Sequence, residues 1–140
     1  MKTVLFACVH NAGRSQMAAA LLNSMTDASK AHAVSAGTAP GSQVHPEVVQ
    51  AMREVGIDLS GARPRLLTQE LAADAQYLIT MGCGDACPVV PGAKREDWEL
   101  EDPKGKSLER VREIRDDIRG RVEALIKREG WVLARTGQSS

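Results

Sequence analysis

A short apolar run, Thr3-Val4-Leu5-Phe6-Ala7, leads into Cys8-Val9-His10-Asn11-Ala12-Gly13-Arg14-Ser15, and a helical pattern leads out. Met17, Ala18, Leu21, Leu22 and Met25 recur at helical spacing, which predicts a helix over residues 15–25 with Ser15 as its N-cap. Strand followed by helix is the first step of an alternation that, kept up along the chain, points to a parallel sheet. The same unit is an anion-binding arrangement. Amides of the loop and first helical turn have no intrahelical acceptor and point at whatever the loop encloses. The helix end adds roughly half a positive charge, which favours an oxyanion. Cys8, at the base of the loop, is expected to lean toward thiolate beside that dipole and Arg14. Arg14 follows after five intervening residues, and its planar fork suits two oxygens of a tetrahedral anion.

A blander reading exists for each residue alone. A cysteine closing a buried strand is more often a small core hydrophobe, and an arginine opening a helix is more often solvated. Neither explains why Cys, five residues, Arg and Ser all fall between one strand and one helix.

The rest of the chain continues the alternation. A strand is expected at His32-Ala33-Val34-Ser35-Ala36, stopped by Gly37, with a surface loop at residues 38–42. Pro46 suits the first turn of a helix carrying Val48, Val49, Met52 and Val55, ended by Gly56. Residues 58–64 are turn-rich, and Thr68 can cap a short helix running through Leu71. Tyr77-Leu78-Ile79-Thr80-Met81 reads as the third strand, and Trp98-Glu99-Leu100 as a fourth strand or an extended segment before the loop at 102–106. Leu108, Val111, Ile114, Ile118, Val122, Leu125 and Ile126 form one apolar stripe over 107–128. The charged face opposite that stripe needs no role beyond solvation. Residues 134–140 read as a frayed polar tail.

The expected architecture is therefore a single α/β domain over residues 1–140, a parallel sheet with helices on both faces. Ligands of such sheets bind at the carboxyl ends of the strands, and Cys8, Cys83 and Asp102 all fall just after predicted strands. Composition narrows the function. Eighteen basic and eighteen acidic residues cancel, so no bulk field recommends nucleic acid or an acidic membrane. No apolar run approaches the roughly 20 residues of a membrane span. The N-terminus lacks a signal-peptide pattern, which makes the cytoplasm the expected location. Three cysteines argue against a secreted disulfide framework and for reduced, reactive or metal-binding thiols. Cys83-x3-Cys87 is a poor zinc motif, and His10, His32 and His45 all lie far from it in sequence. Two inert buried cysteines are the other alternative, although Gly82, Gly84, Asp85 and Pro88 around them read as an exposed loop.

These motifs resemble the low-molecular-weight protein tyrosine phosphatase superfamily and, within it, the thioredoxin-coupled arsenate reductases. The Cys8-x5-Arg14-Ser15 loop with Asn11 inside it resembles the superfamily's phosphate-binding loop. Ser35-Ala36-Gly37 resembles its second-strand motif, and Asp102-Pro103 its general-acid loop. The likeness runs over residues 2–128 and implies a four-stranded parallel sheet flanked by helices. It further implies that Val9, His10, Asn11, Ala12, Gly13, Arg14 and Ser15 bind an oxyanion, with Cys8 as nucleophile and Asp102 as proton donor.

Cys83-Gly84-Asp85-Ala86-Cys87 separates two branches of that resemblance. A phosphatase needs one thiolate, an acid and water. Arsenic(V) can also accept two electrons from thiols, and the resulting disulfide needs further sulfurs to collect it. Four residues apart in a helical turn, Cys83 and Cys87 would have Cα atoms ~6 Å apart, within disulfide range. The resemblance thus implies a Cys8–Cys83–Cys87 relay recycled by thioredoxin, with no bound cofactor. Mycothiol and glutaredoxin are the alternative reductants.

This sequence departs from the family in three places. Lys104-Gly105-Lys106 stands where the phosphatases carry substrate-gripping tyrosines, and the Cys83–Cys87 spacing is shorter than in the best-known reductases. Ala19, Arg63 and Arg65 stand where some members hold potassium, so no such site is expected. Hydrolysis of phosphate monoesters by Cys8, Arg14 and Asp102 is the alternative activity, and a non-enzymatic oxyanion sensor the third. Asp102 speaks against a sensor, which needs no proton donor.

Overall fold

Val4 to Cys8 are all buried, as expected of a strand covered on both faces. That strand, β1 (Lys2–Cys8), is interior to the sheet. A computed structural model describes residues 2–82 and 92–132. The predicted tail and both Cys83 and Cys87 lie outside them. After β1 come α1 (Arg14–Met25), β2 (Ala31–Gly37), α2 (Pro46–Arg53), α3 (Gln69–Ala73), β3 (Tyr77–Thr80), β4 (Lys94–Asp97) and α4 (Leu108–Glu129). The four strands run in the order β2-β1-β3-β4, and every pairing is parallel. The chain leaves β1 toward one side for β2 and later returns to its other side for β3. That reversal opens a crevice beyond the carboxyl end of β1, the usual ligand position in open α/β sheets.

Alternating side chains of β1 feed two cores. Val4, Phe6 and Cys8 face α1, α2 and α4 through Met17, Leu22, Met52, Ile118 and Val122. Leu5 and Ala7 face the other way, with Leu78, Ala36 and the α3 residue Ala72. Helices flank both faces as expected, three on one and the short α3 on the other. α4 follows its predicted stripe: Ser107 caps it by accepting from the Arg110 amide at 3.2 Å, and Gly130 ends it in the left-handed conformation at φ 78°. Thr68 caps α3 as expected, accepting from the Leu71 amide at 3.1 Å.

Three expectations need correction. The fourth strand is Lys94–Asp97, ending directly before Trp98. It is an edge strand of charged, mostly exposed residues, so it carries no apolar alternation to read. Trp98-Glu99-Leu100 is an extended segment beyond it, and the Trp98 ring packs on Phe6 with centroids 5.6 Å apart. The charged face of α4 is more than solvation. Arg115 is buried, donating to the Ala51 carbonyl at 2.8 Å and to Glu54 at 3.0 Å, which ties α4 to α2. Ser15 is not the N-cap of α1, which starts at Arg14 with Gly13 in the cap position. Its hydroxyl is committed to the loop instead.

Candidate active site

Peptide geometry dictates how the loop after β1 can bind. The carbonyls of Cys8, Val9, His10 and Ala12 accept from the amides of Thr38, Ala39, Gly41 and His45 at 3.1, 2.8, 2.9 and 3.0 Å. All four are thereby turned outward, against the segment after β2. In a planar trans peptide the N–H points opposite its C=O, so the amides of Val9, His10, Asn11 and Gly13 turn inward. The Asn11 amide bears this out by donating to the Cys8 Sγ at 3.2 Å. Asn11 makes the turn possible with φ 51°, a left-handed conformation that asparagine tolerates better than most residues. Gly37 allows the close approach: a Cβ there would lie 2.5 Å from the Val9 carbonyl oxygen and 2.9 Å from the Asn11 nitrogen.

Cys8 is a buried free cysteine at the floor of this ring. Ser15 Oγ lies 2.8 Å from its sulfur. That hydroxyl already accepts from Asn11 Nδ2 at 2.8 Å, which leaves its one hydrogen for Sγ. Asn11 is itself wholly buried, and its Oδ1 accepts from Gln16 Nε2 at 3.0 Å and the Arg65 amide at 2.9 Å. Gln16 also donates to the carbonyls of Asn11 at 3.1 Å and Arg63 at 3.2 Å. The loop is therefore braced from two outside segments. Gln16 and the backbone at Arg63 and Arg65 escaped the sequence reading. A glutamine in the first turn of a buried helix was the available signal, and the backbone contribution left none.

Arg14 is 8% exposed, and its Nη1 donates to the Leu100 carbonyl at 3.3 Å. Its guanidinium lies along Gly82, where a Cβ would sit 2.5 Å from Nη1 and 3.2 Å from Cζ. Gly82 also has φ 99°, so both conformation and space call for glycine there. Asp102 Oδ2 approaches Arg14 Nη2 at 3.7 Å. The other oxygen of Asp102 accepts from the Lys104 amide at 3.0 Å, which fixes the carboxylate at the head of its turn. The structure thus brings Cys8, Asn11, Arg14, Ser15 and Asp102 together at the carboxyl edge of the sheet. Among the described residues no group of three His, Cys, Asp or Glu could hold a metal.

Such a ring can hold a tetrahedral oxyanion by its amides and one guanidinium, with a sulfur beneath and a carboxyl alongside. A family model described as low molecular weight phosphotyrosine protein phosphatase matches residues 3–133. The chain belongs to that family. Arsenate reductases are among its relatives, and a solved low molecular weight protein tyrosine phosphatase from T. tengcongensis shares the fold at 27% identity and TM-score 0.80. The glutaredoxin arsenate reductase of Synechocystis sp. is 41% identical over 129 residues, covering 90% of this chain and 97% of that protein. A solved thioredoxin-dependent arsenate reductase of Corynebacterium glutamicum superposes with TM-score 0.80 at 44% identity. The match covers 91% of this chain and 61% of that one, so this chain spans about three fifths of its length. A structure titled as an arsenate reductase in the phosphate binding state gives TM-score 0.79 at 38% identity, covering 91% of this chain and 98% of that one.

Proposed function

We propose that this protein is an arsenate reductase in which Cys8, Cys83 and Cys87 form a disulfide relay recycled by thioredoxin in the cytoplasm. Arsenate enters the ring of inward amides, held by Arg14. The Cys8 thiolate attacks arsenic, an As–O bond breaks, and Asp102 supplies the proton with which that oxygen leaves as water. Cys83 then attacks the Cys8 sulfur of the adduct. The S–As bond breaks, its electron pair stays on arsenic as arsenite, and a Cys8–Cys83 disulfide forms. Cys87 attacks Cys83 in turn, releasing Cys8 and leaving a Cys83–Cys87 disulfide for a dithiol reductant. Each turnover passes two electrons to arsenic and consumes one reductant dithiol.

The contact between Arg14 and Gly82 carries this reading over simple ester hydrolysis. Gly82 lies against the guanidinium, and Cys83 is the next residue in the chain. A second thiol therefore follows directly in sequence on the residue that meets Arg14, and the chain step between them is only about 3.8 Å. A phosphatase has no need of it. The relatives' names agree in arsenate and differ in the reductant, thioredoxin for one and glutaredoxin for the other.

The test is arsenite release from arsenate with thioredoxin and its reductase, run beside glutaredoxin with glutathione and beside p-nitrophenyl phosphate hydrolysis. Thioredoxin-supported turnover that disappears in Cys8→Ser is the expected result, with only weak ester hydrolysis. Brisk hydrolysis with no arsenite under either reductant would make the protein a phosphatase.

A further inference from the structure

The turn that carries Asp102 is exposed or half-buried throughout residues 101–107 except at Pro103, which is buried. What Pro103 meets is the bare Cα of Gly13. A Cβ at Gly13 would stand 2.6 Å from Pro103 Cγ and 3.4 Å from Cδ, with the His45 ring 3.6 Å away at Cδ2. Carbon atoms in contact sit roughly 3.5–4.0 Å apart, and a pyrrolidine ring cannot swing aside as the end of a long side chain can.

The turn behind Pro103 is internally braced. The Lys104 amide donates to Asp102 Oδ1 at 3.0 Å, and the Lys106 amide to the Pro103 carbonyl at 3.0 Å. Glu101 pairs with Arg110 and, at 3.6 Å, with Lys106. A push at Pro103 therefore moves the whole turn, and Asp102 with it.

We propose that Gly13 is a positioning residue for the proton donor: its missing side chain is the seat on which Pro103 docks the Asp102 turn over the oxyanion ring. The inference rests on the reading of Asp102 as the general acid. Filling the seat with one methyl group shifts the carboxyl by about 1 Å, a misplacement that can cost roughly 10²-fold in rate.

The experiment compares Gly13→Ala, Pro103→Ala and the double variant with the native chain. Turnover is read on phenyl phosphate and p-nitrophenyl phosphate, and as arsenite release, with inorganic phosphate as competitive inhibitor. In Gly13→Ala, phenyl phosphate hydrolysis and arsenite release should fall by roughly 10²-fold. p-Nitrophenyl phosphate should lose far less, because nitrophenolate departs without a proton. Phosphate inhibition should weaken far less than phenyl phosphate turnover falls, because alanine keeps the inward amide at this ring position. Pro103→Ala, which removes the two atoms in the way, should restore most of the loss in the double variant. Weakening of phosphate inhibition in step with turnover, or failure of the second substitution to rescue, would overturn the proposal.

Hydrogen exchange at the Lys104 and Lys106 amides judges the docking without catalysis. Exchange should quicken in Gly13→Ala and slow again in the double variant, and unchanged exchange would overturn the docking. If Asp102→Asn were as active as the native chain while exchange behaved as expected, the docking would stand and the donor assignment would have failed.

Discussion

Arg14 serves three neighbours at once: the Leu100 carbonyl, the face of Gly82 and the Asp102 carboxylate. A lysine at this position would offer a point charge without the planar fork. Arg14→Lys should therefore raise both the phosphate inhibition constant and the arsenate KM while lowering kcat, measured by competitive inhibition and steady-state turnover. Asp102→Asn should behave differently. It keeps an oxygen for the Lys104 amide but has no proton of the right acidity to give. Phosphate inhibition should hold while kcat falls by roughly 10²–10⁴. Native turnover by that variant would mean that the proton comes from elsewhere. Cys8, Arg14 and Asp102 were legible in the sequence because the chemistry demands rare residue types at a fixed spacing. Gly13 and Gly37 were legible as members of motifs, but the space that they and Gly82 leave was not. They act by having no side chain, and what a missing Cβ makes room for depends on a segment tens of residues away. Ser15 was legible as a member of the loop, where its hydroxyl meets the Cys8 sulfur, but not as a cap, since a serine before a helical pattern looks the same whether or not it caps the helix.

At the scale of elements, helical spacing, capping residues and apolar runs located the described helices and three of the described strands, and failed where exposure removed the pattern. β4 is pinned by its backbone pairing to β3 and by Trp98, whose ring leans on Phe6. Phe6 is wholly buried within β1. Phe6→Ala should cost about 3–5 kcal/mol in chemical denaturation and loosen the turn to Asp102, seen as a rise in KM and a drop in kcat together. The join between α2 and α4 brings a pH dependence. The hydrogen bond from Arg112 first, and then the one from Arg115, hold the Glu54 carboxyl below its ordinary value of 4.5. A carboxyl depressed in the folded state stabilises the fold above its unfolded pKa and loses that contribution as pH falls through the folded one. Between pH 7 and strongly acid solution, the native chain should lose more stability than Glu54→Gln, measured as the difference in denaturation midpoints. Equal losses would leave the clamp without energetic weight. Nothing in the stripe of α4 distinguished Arg115 from its solvated neighbours, because only the arrival of α2 buries it.

On the scale of the whole molecule, the proposed relay requires electrons to pass from thiols near the surface to the anion ring. Cys87→Ser should complete one turnover with one equivalent of arsenate and then trap a Cys8–Cys83 disulfide that thioredoxin reaches poorly. Cys83→Ser should release no arsenite, while hydrolysis of p-nitrophenyl phosphate continues in both variants. Tryptic mass spectrometry would show which cysteines are joined. Repeated turnover by the variant lacking both would remove the relay and favour a small-thiol route through Cys8 alone. The fold that supports this scheme also spaces its two tryptophans usefully. Trp98 sits just past the carboxyl end of β4, against Phe6 and two residues before the carbonyl that anchors Arg14. Trp131 lies against the Tyr77 ring at the opposite end of β3, with centroids 5.0 Å apart. Both are buried. The chain thus contains two tryptophan fluorophores, one at each pole of the sheet. Replacing Trp131 by phenylalanine leaves emission that follows ligand arrival at the ring, and replacing Trp98 leaves emission that follows only unfolding.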